Sequence, residues 1–171
     1  MASSFQSVIE HVGTFLPAIE RPRAEYREIY NQHCHRIYSL AFYMTDNELV
    51  AEQLAGNTFL RAFAGSWDQQ AEQIDHAFVA ELRDLYVIGN LTLNATTAMA
   101  GKGIRNNMKR VHLERAVVQL PATERLIFLL HDVEQYDHAK IALLLGLSEE
   151  ESRFGLHQAR IAVREAVGQM I

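Results

Sequence analysis

Residues 120–167 read LPATERLIFLLHDVEQYDHAKIALLLGLSEEESRFGLHQARIAVREAV. Apolar residues recur every three or four positions across the stretch, and no part of it alternates with the period of two that a strand requires. Together with VHLERAVVQL just before it, the stretch makes four helices in under ~65 residues, which leaves room only for short turns. Ser148 and Glu151 form an S-x-x-E capping box, in which the hydroxyl and the carboxylate each satisfy an otherwise unpaired backbone N–H at a helix start. Glu149, Glu150 and Glu151 read as first-turn acids that favour the helix through its dipole, by about 0.3–1 kcal/mol each, rather than as an acidic site. Short helix, turn, short helix, turn, long final helix is the order of a helix-turn-helix unit.

Helical spacing persists toward the N-terminus, so the expected fold class is all-α: two small helical domains joined by a linker, the second a helix-turn-helix. Phe5, Val8, Ile9, Val12, Phe15, Leu16 and Ile19 make one stripe until Pro17 and Pro22 disturb it. Residues 1–22 are therefore expected to form an extra amphipathic helix, and the lack of Lys and Arg on the polar face of its Phe5–Ile19 stripe argues against a membrane-surface role. A second helix is expected from about Ala24 to Met44. A third follows a capping box of Thr45 and Glu48, and it packs on the second as a hairpin. A fourth, about His76 to Leu93, would bury Phe78, Leu82, Leu85 and Ile88. The stretch NATTAMAGKGIRNNMK then offers glycines and polar residues without an apolar stripe, which is how a linker reads. The expected organisation is residues 23–95 as a first helical domain, 96–111 as linker and 112–171 as the helix-turn-helix domain.

The chain's 171 residues, 49% of them hydrophobic and 22% charged, suit one domain or two small ones. A net charge of -5 lacks the basic excess of a stand-alone nucleic-acid binder, so any DNA contact must be local or shared with a partner. Residues 1–100 hold 6 Lys+Arg against 12 Asp+Glu, whereas residues 101–171 hold 10 against 9, which makes the second half the DNA side. One cysteine, Cys34, cannot form an internal disulfide, and no apolar run approaches the ~20 residues of a membrane span. A cytoplasmic protein is expected. No Gly-rich phosphate loop, nucleophile motif or suitable carboxylate pair appears, so neither an enzyme nor a cofactor nor a small-molecule substrate is expected. His33, Cys34 and His35 bring metal-binding residue types together, but helical neighbours two apart point ~200° away from each other, which favours structural histidines over a metal site.

Within the stretch quoted above, Leu120, Pro121, Arg125, Ile141, Ala142, Leu145, Gly146, Leu156, Ala159 and Arg160 stand where region four of bacterial extracytoplasmic-function sigma factors has its Leu-Pro…Arg, IA-x-x-L-G and L-x-x-AR elements. AEQLAGNTFLRAF resembles that family's AEDLVQETFLRAF, the part of region two that docks on the clamp helices of RNA polymerase. LYVIGN, ending at Asn90, sits where region two has L-x-x-IA-x-N. The resemblance covers roughly residues 24–168. It implies a promoter-specificity subunit that binds core RNA polymerase and promoter DNA, reads the minus-thirty-five element through region four, melts the minus-ten element through region two, and is commonly restrained by an anti-sigma factor.

Carried onto this chain, the resemblance makes Glu52, Gln53, Asn57, Phe59 and Arg61 candidate polymerase contacts. Arg153, His157, Gln158, Arg160 and Arg164 become candidate DNA contacts on the last helix. Gln158 could pair with an adenine edge for about 1–3 kcal/mol of discrimination. Lys102, Arg105, Lys109 and Arg110 could hold phosphates, or be a solvated linker. Any one arginine of the last helix could instead pair with Glu149 or Glu165. Gln53 and Gly56 replace the family's Asp and Gln, Asn94 and Thr97 replace an Asp and an Arg, and Gly155 and Gln158 fall where Arg is common. These departures keep two alternatives open: a sigma-like protein that binds an anti-sigma factor or related regulator without specific DNA binding, and a dimeric helix-turn-helix regulator of another kind.

Overall fold

The computed structural model describes residues 23–64, 70–94 and 110–170; the expected N-terminal helix and most of the linker lie outside them. Every regular element among the described residues is helical: α1 Arg23–Thr45, α2 Glu48–Phe63, α3 Gln70–Leu85, α4 Arg110–Val118, α5 Ala122–Phe128, α6 His138–Leu145 and α7 Glu149–Met170. A π-helical turn, Leu129–Val133, extends α5. No helix among the described residues is long and apolar enough to cross a membrane. Among the described residues, those up to Phe42 and from Asn47 to Leu82 pack as one unit, and Tyr43–Asp46 with those from Arg83 onward pack as another.

In the first unit, α1 contributes Ile29, Tyr30, Ile37, Leu40 and Ala41 to the core, α2 contributes Leu54, Phe59 and Phe63, and α3 contributes Ile74, Phe78 and Leu82. Aromatic packing joins α1 to α2: Tyr30 lies 4.9 Å from Phe59 and Tyr26 lies edge-on 5.0 Å from Phe63, between ring centroids. Arg36 reaches the buried carboxylate of Asp75 at 2.9 Å, so the charge that α3 takes into the core is compensated from α1.

The cap of α2 differs from expectation. α1 runs on through Thr45, which therefore cannot serve as an N-cap, and Asp46 turns the chain at φ +51°. Asn47 is left extended, and its side chain accepts the Val50 N–H at 3.1 Å.

The fourth helix also ends early, at Leu85 rather than 93. Leu85 is exposed and Ile88 only half-buried, because the chain leaves the helical path to reach Gly89 at φ +101°. Residues 86–94 run without regular structure along the second unit. Thr123 accepts the Gly89 N–H at 3.2 Å and its hydroxyl donates to the Val87 carbonyl. The fully buried Glu124 carboxylate accepts the N–H groups of Thr92 and Leu93 at 2.5 and 2.7 Å. These residues form a strap on α5 and α7.

The helix-turn-helix forms as read. Asp137 caps α6 by accepting the Lys140 N–H at 2.7 Å. Gly146, in the left-handed conformation at φ 72°, ends α6, and the Leu147 N–H returns to the Ala142 carbonyl at 3.0 Å. The capping box then starts α7: the Glu151 N–H donates to Ser148 Oγ at 3.1 Å, and the Ser148 N–H donates to the Glu151 carboxylate at 2.7 Å. α7 packs against α4, α5 and α6 through Leu156, Ala159, Val163 and Val167. Arg125, of the Leu-Pro…Arg element, holds the turn before α5 by donating to the Leu120 carbonyl at 2.7 Å, and it also reaches the Met44 carbonyl at 2.8 Å.

Candidate nucleic-acid interface

The core-facing residues of α7 fix which of its side chains reach solvent. Arg153, His157, Arg160 and Arg164, spaced four, three and four apart, fall on one side of the helix, and all four are exposed. Three arginines and a histidine over about three turns match the chemistry of a phosphate backbone or a guanine edge.

Two of the arginines already hold carboxylates. Arg153 pairs with Glu149 one turn earlier at 2.7 Å. Arg160 makes a two-pronged contact across elements, with Nη2 2.5 Å from Asp132 Oδ1 and Nε 3.0 Å from Asp132 Oδ2. Of the two carboxylates expected to pair with an arginine of this helix, Glu149 takes Arg153, whereas Arg160 turns to Asp132 on the π-helical turn, which presents both oxygens to the guanidinium fork. Asp132 also accepts from His131 Nδ1 at 2.8 Å. Burial pushes the Asp132 pKa up, but the hydrogen bonds from Arg160 and His131 outweigh it and the net shift is downward. The His131 ring stacks on His138 at 4.7 Å, and His138 Nδ1 lies 2.9 Å from the buried Ser152 hydroxyl. Burial, with the nearby His131 and Arg153, lowers the His138 pKa.

Gln158 is a correction to the sequence reading: it is buried, with 4% exposure, and cannot present its amide to a base edge. Its position lies between the core stripe and Ile161, where α7 is covered on a second side. Gly155 is buried as well, because Leu91 of the strap and Ile127 of α5 occupy the space that a side chain there would fill. The side chain that sequence reasoning missed is Phe154, large, apolar and 40% exposed beside Arg153; its position off the apolar stripe was the available signal. Leu143 on α6 is 75% exposed, again off the stripe of its helix.

Lys102, Arg105 and Lys109 lie outside the described residues. Arg110 opens α4, exposed, and pairs with Glu114 at 2.6 Å.

On α2, Gln53 and Asn57 are exposed and Glu52 is half-exposed. Phe59 is a second correction: it is a core residue, 2% exposed, packed on Tyr30 and Phe63, and so cannot be a surface contact. Arg61 is exposed and pairs with Glu81 at 2.5 Å. Leu49 and Leu60, both exposed, fall on the same side of α2 as Gln53, Gly56 and Asn57, so this face mixes apolar and amide groups. His33 is half-buried and its pKa is lowered, first by burial and then by Arg36, whereas His35 is exposed. No group of three metal-binding side chains occurs among the described residues.

Residues 110–163 match the family model described as sigma-70, region 4. The match spans α4 through most of α7, the segment that carries the Arg153 to Arg160 face. No curated protein matches the chain.

Proposed function

We propose, because residues 110–163 match the family model of sigma-70 region 4, that the chain is a promoter-specificity subunit: it binds core RNA polymerase in the cytoplasm and directs initiation through its helix-turn-helix. The observation that carries this reading is the exposed stripe Arg153, His157, Arg160 and Arg164 on α7, the second helix of the helix-turn-helix. The chain's overall acidity makes the polymerase the natural source of most of the affinity. The α2 face around Leu49, Gln53, Asn57 and Leu60 supplies the docking surface, in keeping with the likeness of AEQLAGNTFLRAF to region two. Purified chain mixed with core polymerase is expected to co-elute with it and to support promoter-specific transcripts; no co-elution and no transcript would overturn the reading.

A second reading is favoured by the inward positions of Gly155 and Gln158 and by the carboxylates already seated on Arg153 and Arg160. In it the same helices bind an anti-sigma factor or related regulator, and specific DNA binding is absent. Mass spectrometry of proteins captured from lysate separates the two, since polymerase subunits are expected on the first reading and a regulator without polymerase on the second.

A further inference from the structure

We propose that Asp132 is a built-in competitor for DNA phosphate, seated on Arg160 so that α7 is self-neutralised until nucleic acid displaces it. This rests on the DNA-binding reading above and adds its regulation.

The contact on Arg160 occupies Nε and Nη2, the guanidinium edge that forms paired hydrogen bonds to carboxylate or phosphate alike. One edge cannot serve both partners. Asp132 is also better held than an ordinary surface acid. It is three-quarters buried, it sits on the π-helical turn rather than on α7, and His131 donates to it at 2.8 Å. The pair is therefore fixed by the tertiary structure across 28 residues of sequence, unlike Arg153–Glu149, which is an i,i+4 pair of two half-exposed side chains. Arg160 itself remains half-exposed, so a phosphate can approach without unfolding anything.

Exchange has a salt signature. An arginine that moves from solvent to a phosphate releases about one DNA-bound counterion, which steepens the dependence of log affinity on log salt by about 0.9. If Arg160 instead leaves Asp132, the uncompensated carboxylate stays beside the phosphates and helps hold a cation there, which offsets much of that release. Asp132→Asn keeps the shape and an acceptor oxygen for His131 while removing the competing charge.

The test is the binding of a labelled mixed-sequence DNA duplex to the full chain between about 50 and about 200 mM salt. Asp132→Asn is expected to bind about fivefold tighter at the low end and to steepen the salt slope by about one. Both gains should vanish in the Arg160→Ala background. On the unmodified chain, the Arg160 Nε–H resonance should shift when the duplex is added. Wild-type binding with an unchanged affinity and slope in Asp132→Asn would overturn this proposal and leave the DNA reading standing. No binding by either protein at any salt would overturn both.

Discussion

Leu91 stands where Gly155 would carry a side chain: a Cβ at Gly155 would lie 2.8 Å from Leu91 Cδ2 and 2.8 Å from Ile127 Cδ1. A glycine in the middle of a helix costs about 1 kcal/mol relative to alanine, and here that cost admits the strap to the surface of α7. Leu91→Ala is expected to lower the stability of the second unit by about 1–2 kcal/mol, as a half-buried leucine should. Gly155→Ala is costly in the native background and should become less so by about 1 kcal/mol once Leu91 is shortened. Urea midpoints of the four proteins in this cycle measure the coupling, and strict additivity would show that the two residues do not meet.

Glu124 anchors the same strap. Its buried carboxylate receives the N–H groups of Thr92 and Leu93, so Glu124→Ala strands both donors and is expected to cost about 2–4 kcal/mol. Glu124→Gln retains an acceptor oxygen and should lose roughly half as much. Hydrogen exchange locates the effect: the Thr92 and Leu93 amides should lose protection first, ahead of the α7 core.

These relationships mark the limit of what residue patterns reveal. The Ser148–Glu151 box, the α7 core stripe and the exposed arginines depend on spacings of three and four, and each was legible. Gly155 and Leu91 are 64 positions apart in number and meet only in the fold, so the glycine read as a gap in a charged face. Arg160 pairs with Asp132, 28 positions away, rather than with a carboxylate of its own helix, for the same reason. The overlong fourth helix arose because Leu85 and Ile88 continue the helical period, and nothing local announces that Gly89 turns to a positive φ. Phe59 was offered as a docking residue by likeness to a motif, while the period of α2 already placed it with Leu54, Ala55 and Ala62 on the buried side.

Gly89 gives a sharper test than Gly155. At φ +101° an L side chain is strained, and its Cβ would lie 2.8 Å from the Leu145 carbonyl oxygen, which is backbone and cannot swing away. Gly89→Ala is expected to cost about 2–3 kcal/mol, more than Gly155→Ala. Thermal unfolding ranks the two directly, and the reverse order would contradict the strap geometry.

Acidification should destabilise the second unit through His138. Burial and the neighbouring His131 and Arg153 lower its pKa in the folded chain, while Glu149 opposes them. An unfolded histidine titrates near ~6.5. With the folded value below the unfolded one, the unfolded state binds more protons in the interval between them. The contribution is therefore intact above the unfolded pKa and is lost as pH falls through the interval to the folded one. His33 has the same sign in the first unit, where burial and Arg36 also lower its pKa. Unfolding followed from about pH 8 to about pH 5 should show a falling midpoint, and His138→Gln should flatten that fall for the second unit while leaving the His33 part in place.

The two faces of α2 predict opposite phenotypes from neighbouring residues. Phe59 fills the core against Tyr30 and Phe63, so Phe59→Ala is expected to cost about 3–5 kcal/mol and to unfold a marginal unit. Leu60 is exposed, and Leu60→Ser should change stability by no more than about 0.5 kcal/mol. If the exposed side of α2 is the polymerase-docking face, Leu60→Ser combined with Leu49→Ser should weaken co-elution with core polymerase by about tenfold, since two exposed leucines that become buried in an interface contribute roughly that much. Helicity by circular dichroism should stay unchanged in the double variant. Full retention of polymerase binding by a folded Leu49→Ser, Leu60→Ser protein would move the docking surface off α2.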